Sequence, residues 1–273
     1  MALSKFLQGE RAEIKELVGA LLPHYKYVSA LATDCRSKIY RVDRATASVT
    51  EGTDFVGECG FVIKVHNGKA FGEYSASSIA GDKNALAEKI VKAIDLDSVG
   101  GTIECSLPID KEKKADFCRE SDFEDFEDKD ILAFCNGLKE EIIKKDDKIL
   151  NVFVLIRPIV INKLFISKNR ELSQHYGWVN GDIMIVYRDE KIVQARESAY
   201  GVNMKEVFDT LPKLVDKLIE KAKHLAKAKP IKPGVYDIIT DSSITGLIAH
   251  EAFGHGVEMD QFVKNRALAK DYM

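Results

Sequence analysis

The chain has 273 residues, of which 45% are hydrophobic and 30% are charged, and 40 basic against 43 acidic residues give a formal net charge of −3. This composition is typical of a globular protein and excludes a disordered chain. The balanced charge provides no field that would attract nucleic acid or an anionic membrane, so we expect neither as a partner. No apolar run approaches the roughly 18 residues of a membrane-spanning helix, and the N-terminus lacks the apolar core of a signal peptide.

The cysteines indicate a reducing compartment. There are five of them, with no C-x-x-C pair: Cys35, Cys59, Cys105, Cys118 and Cys135. An odd number of scattered cysteines favours free thiols over a disulfide framework, so we expect a cytoplasmic protein.

The first part of the chain alternates helix and strand patterns. Apolar residues at helical spacing predict a helix over residues 4–22, which Pro23 ends. Extended segments between residues 25 and 75, with a hairpin turn at Asn67-Gly68, predict an antiparallel meander. A second helix is predicted over residues 82–96.

The central part repeats this order. An acidic run at residues 119–130 is typical of the solvated entry to a helix, here predicted over residues 129–145. Four strands follow, at residues 150–156, 159–167, 171–179 and 182–188, with hairpin turns at residues 168–170 and at Asn180-Gly181. Apolar residues on both faces of the last strand predict a sheet that is covered on both sides.

A long helix and a linker lead to the end of the chain. The helix is predicted over residues 205–226, with Pro212 in its first turns or kinking it. A linker at residues 228–234 precedes a short buried strand at residues 235–240, and Asp241 or Ser242 caps a final helix that apolar side chains anchor to a core. The sequence thus predicts an α+β fold with mixed or antiparallel sheets and flanking helices. Its predicted parts are residues 1–110, 111–228 and 229–273.

The final helix carries two histidines and a glutamate in a His-Glu-x-x-x-His pattern, at His250, Glu251 and His255. Neutral imidazoles are good zinc ligands, and a carboxylate beside them can accept a proton from water. In the familiar His-Glu-x-x-His pattern the i, i+4 spacing places both rings on one helix face. Here the spacing is i, i+5, which on a regular α-helix separates the two side chains by roughly 140°.

The longer spacing demands a distortion of the helix if the histidines are to share a metal. A π-bulge, or a helix end between the two histidines, would bring them together. Gly254 and Gly256 flank the second histidine and make the backbone there permissive. The alternative is a helix with one packed and one exposed histidine and a solvated Glu251.

The residues from 246 to 260 resemble a known family. They read Gly246-Leu247-Ile248-Ala249-His250-Glu251-Ala252-Phe253-Gly254-His255-Gly256-Val257-Glu258-Met259-Asp260. With the preceding helices, meanders and Pro-Gly linker, they resemble the TldD/PmbA metalloproteases, and specifically the metal-bearing TldD-type subunit. The resemblance implies that His250 and His255 are zinc ligands and that Glu251 is the general base that activates the attacking water. It also implies unfolded polypeptides or modified-peptide precursors as substrates, and a homodimer or a heterodimer with a PmbA/TldE-type subunit.

In that family a cysteine from a β-rich C-terminal domain is the third zinc ligand, and none of the five cysteines here matches it. Cys59 and Cys135 are expected to be small buried hydrophobic residues. Glu258 and Asp260 are expected to cap or pair on the surface, and the alternative is that these nearby carboxylates complete a weak metal site. Because the sequence ends at Met273, before that domain is complete, we expect a truncated chain that is inactive or impaired in hydrolysis on its own.

A hypothesis from a different class gives the predicted strands a binding role and assigns no metal to the histidines. The chain would then be a non-catalytic peptide-binding or subunit-interaction module. A nucleotide-binding enzyme has little support, because neither a G-x-G-x-x-G nor a G-x-x-x-x-G-K-[ST] pattern occurs.

Overall fold

The computed structural model describes residues 3–52, 59–96, 107–263 and 266. The chain divides into two compact units, Met1–Ala228 and Lys229–Met273. Within the described residues, no helix combines the length and apolar character needed to cross a membrane.

The first unit contains eight described strands and five described α-helices. The strands are β1 (Tyr27–Val42), β2 (Ala47–Glu51), β3 (Cys59–His66), β4 (Phe71–Ala76), β5 (Lys113–Cys118), β6 (Ile149–Ser167), β7 (Arg170–Arg188) and β8 (Ile192–Gly201). The helices are α1 (Lys5–Leu21), α2 (Lys83–Ala93), α3 (Asp128–Lys145), α4 (Met204–Thr210) and α5 (Val215–Lys227). A 3₁₀ turn at Leu211–Leu214 holds Pro212 and separates α4 from α5, as the proline predicts.

All eight strands form one sheet in the order β4-β3-β1-β6-β7-β5, with β2 paired to β1 and β8 paired to β7. The pairs are antiparallel except for β5 and β7, which run parallel. The predicted α+β class is therefore confirmed. Residues on both sides of position 110 contribute strands to this one sheet.

The central strands β6 and β7 are longer than predicted. Each spans 19 residues, and they pair with each other along almost their whole length. The predicted turn at Asn180-Gly181 is wrong, because Gly181 lies inside β7 opposite Ile156. A Cβ at Gly181 would come within 2.4 Å of Val207 and 2.7 Å of Leu211, so the glycine allows α4 and the turn after it to pack closely on the sheet.

Two strands are absent from the sequence prediction, β5 and β8. Every residue of β5 is exposed, and charged residues interrupt its apolar pattern, so no two-residue alternation marks it in the sequence.

The acidic run after β5 is more than a solvated surface. The carboxylate of Asp122 accepts hydrogen bonds from the backbone N–H groups of Met204 (2.6 Å) and Lys205 (3.1 Å), which open α4.

The helices of the first unit lie on one face of the sheet, over two separate hydrophobic cores. One core joins α1 and α2 to β1, β3 and β6, and the other joins α3, α4 and α5 to β1, β6, β7 and β8. Ala30 pairs with Ile166 in the first core and Tyr40 pairs with Ile156 in the second, in one unbroken register. Because alternate residues of a strand share a face, both cores lie on the same side, and the predicted covering of both faces is wrong within the described residues.

The second unit carries the motif. It contains α6 (Ser242–Ala249), a π-helical turn at His250–Gly254, a 3₁₀ turn at His255–Val257 and α7 (Met259–Val263). The predicted buried strand at residues 235–240 is wrong. These residues pair with no described strand, and Val235 and Ile239 are fully exposed. A strand needs a hydrogen-bonded neighbour, which an apolar sequence alone does not provide.

Replacing Gly181 tests the close packing of α4 on the sheet. We expect Gly181→Ala to lower the free energy of unfolding by about 1–3 kcal/mol, because the added methyl group overpacks the buried Val207 and Leu211. Denaturant titration measures this change.

Gly137→Ala is the matched control. Gly137 lies on the exposed side of α3, and no atom lies within 4 Å of the place that a Cβ would take, so alanine should stabilise the helix by about 0.5–1 kcal/mol. Equal effects of the two substitutions would contradict the packing role of Gly181.

Candidate metal centre

The motif helix starts with a side-chain cap. Asp241 precedes α6, and its carboxylate accepts a hydrogen bond of 2.9 Å from the backbone N–H of Ile244. Of the two predicted caps, Asp241 is therefore the one used. Aspartate is a favourable N-cap because it satisfies a backbone donor that the first turn leaves free.

The helix changes its hydrogen-bond spacing where the motif begins. From His250 to Gly254 it is π-helical, and the N–H of His255 donates to the carbonyl oxygen of His250, five residues earlier. This bond places the two histidines one turn apart, with ring centroids 4.6 Å from each other. The predicted π-type distortion is confirmed. The alternative with one packed and one exposed histidine is wrong, because both histidines are exposed.

The distortion gathers three potential metal ligands. His250, Glu251 and His255 each offer one ligand atom, and these atoms all lie within 4.8 Å of one another. All three side chains are exposed, and Nε2 of His255 lies 3.7 Å from a carboxylate oxygen of Glu251. Among the residues that the structure describes, this is the only group of three such side chains that converges.

The other ring nitrogen of His255 has a partner of its own. Its Nδ1 lies 2.9 Å from a carboxylate oxygen of Glu258, three residues further on. The sequence predicts that Glu258 caps or pairs on the surface, and this contact is a surface pairing. The 3₁₀ turn that joins the two residues brings it about.

The glycines around the second histidine do not cause the distortion. Gly254 has φ −54° and ψ −54°, which any L-residue adopts, and a Cβ there would meet only ordinary contacts, the closest at 3.7 Å from the carbonyl oxygen of Ala249. The sequence indicates only that the backbone is permissive here, and the π turn does not require it. The conformational freedom of Gly254 is not used.

The donor set suits zinc in kind, because imidazole and carboxylate groups are its usual nitrogen and oxygen ligands. A catalytic zinc takes three protein ligands, and none of the described cysteines joins the group.

Cys135 is buried as expected, and burial raises the pKa of its thiol to about 12. Cys59 is exposed, contrary to expectation, and its thiol donates to the carboxylate of Asp34. Cys105 lies outside the described residues.

A second polar cluster crosses the sheet of the first unit, between its two cores. Asp34, Asn162 and His175 stand side by side on β1, β6 and β7, and all three are buried. The Nδ1–H of His175 donates to Asn162 over 2.8 Å, and burial holds the pKa of His175 below its ordinary value. These residues hold one another and the start of α1, where the N–H of Ser4 also donates to Asn162. We assign them a structural role.

Known proteins resemble the chain in sequence and in fold. It is 26% identical over 130 residues to a metalloprotease of Methanocaldococcus jannaschii, covering 46% of this chain and 28% of that protein. It is 43% identical over 49 residues to a metalloprotease of Methanothermobacter thermautotrophicus, covering 18% of this chain and 11% of that protein. Among solved structures it resembles TldE from Thermococcus kodakarensis, with a TM-score of 0.63, 13% identity and coverage of 94% of this chain and 57% of that one. No protein-family profile matches the sequence.

The predicted resemblance to the TldD/PmbA family is confirmed, since the chain shares the fold of TldE and has sequence relatives among archaeal metalloproteases. The matched part spans less than a third of either of these two relatives and little more than half of TldE.

Replacing Gly254 tests what creates the π turn. We expect Gly254→Ala to keep the rings of His250 and His255 in contact, because the added methyl group meets no close neighbour. A nuclear Overhauser effect between the two rings measures this contact.

Gly254→Pro provides the opposite case. Proline removes a backbone donor and its ring crowds the preceding turn, so the ring contact should be lost. Loss of the contact in Gly254→Ala as well would contradict our finding that the glycine is not required.

Proposed function

We propose that His250, Glu251 and His255 form part of the zinc site of a metallopeptidase. The observation that carries the proposal is the π turn, which overcomes the unfavourable i, i+5 spacing and brings both imidazoles and the carboxylate within 4.8 Å. Metalloprotease-named relatives support the same function.

The two histidines would hold the metal through neutral ring nitrogens, and Glu251 would move the proton. A zinc ion held there supplies Lewis acidity, which polarises a peptide carbonyl and makes water acidic enough to react near neutral pH. A carboxylate oxygen of Glu251 accepts a proton as water adds to the carbonyl carbon. Glu251 then returns that proton to the amine nitrogen as the C–N bond breaks, so the carboxylate is regenerated.

The substrates we propose are unfolded polypeptides or modified-peptide precursors, as the family resemblance implies. Such chains are extended, and an extended peptide can add to an exposed sheet edge through backbone hydrogen bonds. Strand β5 is an edge of this kind, since it ends the strand order and all six of its residues are exposed.

We further propose that the protein works as a dimer in the cytoplasm, either with itself or with a TldE-type subunit. The fold shared with TldE supports a partner of this class. The third zinc ligand is proposed to be a cysteine, as in the family, and none of the five cysteines of this chain matches it.

A second candidate function is a non-catalytic peptide-binding or subunit-interaction module. The observation that favours it is the apolar surface of the second unit, where Val235, Ile238 and Ile239 are 77–103% exposed. Exposed apolar surface of this extent is typical of a protein-binding region. Zinc stoichiometry separates the two candidates, because an interaction module needs no metal.

Glu251→Gln tests the role of the carboxylate. Glutamine keeps the size of the side chain but cannot accept the proton, so we expect cleavage of an unfolded protein such as casein to fall by about 10²–10⁴-fold. Zinc content, measured by mass spectrometry on the purified chain, should stay close to that of the parent. Cleavage is measured in a form of the protein that includes a β-rich C-terminal domain of the family with its cysteine ligand.

His250→Ala is the matched control, because it removes a proposed ligand and should lose both zinc and hydrolysis. Peptidase activity retained in Glu251→Gln would contradict the assignment of Glu251 as the general base. A parent chain that binds no zinc would favour the interaction module.

A further inference from the structure

We infer that Glu258 is a positioning residue for the metal centre, which fixes the tautomer and orientation of His255 so that Nε2 is the nitrogen offered to the metal. The inference rests on the proposed zinc site and adds to it a residue that the His-Glu-x-x-x-His pattern does not contain.

The hydrogen bond decides which ring nitrogen carries the proton. Nδ1 of His255 lies 2.9 Å from Oε1 of Glu258. An ionised carboxylate can only accept, so Nδ1 must be the donor and must carry the hydrogen. In a neutral imidazole the lone pair then belongs to Nε2, which is the form that binds a metal.

Nε2 of His255 faces Glu251. It lies 3.7 Å from Oε2 of Glu251, and the ring of His255 stands edge-on to the ring of His250 at an angle of 72°. Two carboxylates therefore flank opposite sides of one imidazole. The proton belongs on the side of Glu258, because 2.9 Å is a hydrogen bond and 3.7 Å is too long for one.

The backbone conformation places the carboxylate of Glu258 beside the ring of His255. A 3₁₀ turn covers His255–Val257, and the N–H of Glu258 donates to the carbonyl oxygen of His255 over 3.4 Å. Side chains three residues apart eclipse each other in a 3₁₀ turn, so the carboxylate lies alongside the imidazole. The π turn thus brings His255 to His250, and the 3₁₀ turn that follows supplies the support.

The carboxylate belongs beside the metal site and not in it. The converging ligand atoms are those of His250, Glu251 and His255, and Glu258 is outside that group. Carboxylates that hold a ligating histidine in this way raise its basicity, and removing them costs roughly 10–100-fold in metal affinity. Since Glu258 is 45% exposed, we expect a loss near 10-fold, the lower end of that range.

The test compares Glu258→Ala and Glu258→Gln in the 273-residue chain with two measurements. The first is the tautomer of His255 in the metal-free chain, from ¹⁵N chemical shifts of the imidazole at a pH where the ring is neutral. The second is the zinc dissociation constant, from competition with a chromophoric chelator. In the parent chain we expect the proton on Nδ1 of His255.

Alanine and glutamine should behave differently. Glu258→Ala removes the acceptor, so the proton should move to Nε2, as in a histidine side chain free in water, and zinc should bind about 10-fold more weakly. Glu258→Gln retains a carbonyl acceptor, so the tautomer should persist and zinc affinity should stay within about threefold of the parent.

Asp237→Asn is the control for charge, because it removes a carboxylate from an exposed position in the same unit and should change neither measurement. An unchanged tautomer and affinity in Glu258→Ala would overturn the inference. If Glu258→Gln weakens zinc as much as Glu258→Ala, the carboxylate is a direct ligand and the inference is also overturned. A parent chain without zinc affinity would refute the proposed function, while the tautomer in the metal-free chain would still decide the role of Glu258.

Discussion

The candidate metal centre depends on one backbone hydrogen bond, from the N–H of His255 to the carbonyl oxygen of His250. An α-helical bond would reach only four residues back and leave the two imidazoles on different faces. The five-residue bond adds one residue to the turn, and that residue is the extra one in the His-Glu-x-x-x-His pattern. The motif is thus the His-Glu-x-x-His arrangement with one residue inserted, and the π turn absorbs the insertion. Such turns are rare and occur frequently at functional sites, which agrees with the chemistry of these side chains.

The sequence predicts this geometry from angles alone. Five residues at about 100° each cannot converge on a regular helix, so a π turn or a helix end is required. Glycine beside His255 makes the backbone permissive. Gly254 does not use that freedom, since it is in the ordinary helical region and has room for a Cβ. The support from Glu258 is not predictable, because the i, i+3 contact exists only in the 3₁₀ turn that follows the π turn.

Helices and strands are predictable where the sequence pattern that forms them lies within the element. They are missed where they depend on pairing or packing with another part of the chain. Helices α1, α2 and α3 begin and end close to the predicted positions, since apolar spacing and capping residues lie within each segment. Strand β5 has no such pattern, and only its pairing with β7 makes it a strand. The wrong prediction at Gly181 has the same origin. An Asn-Gly pair favours a turn, but here the space above the glycine is filled by Val207 and Leu211 from another part of the chain.

The two units differ in what stabilises them. The first unit buries two hydrophobic cores on one sheet face. In the second unit α6 buries no residue, and Ile244, Leu247 and Ile248, expected to anchor it, are 47–53% exposed. Apolar burial among the described residues therefore contributes little to the stability of the motif helix, and short helices are marginally stable without packing.

A metal bound to His250 and His255 would join residues on either side of the π turn and would stabilise the turn by its own binding free energy. Metal binding and ordering of the motif would thus be coupled. The less stable the helix is without metal, the larger the part of the binding free energy that would be used to order the turn. The capping bond at Asp241 and the hydrogen bond from His255 to Glu258 would reduce that part, because both restrict the turn before a metal binds.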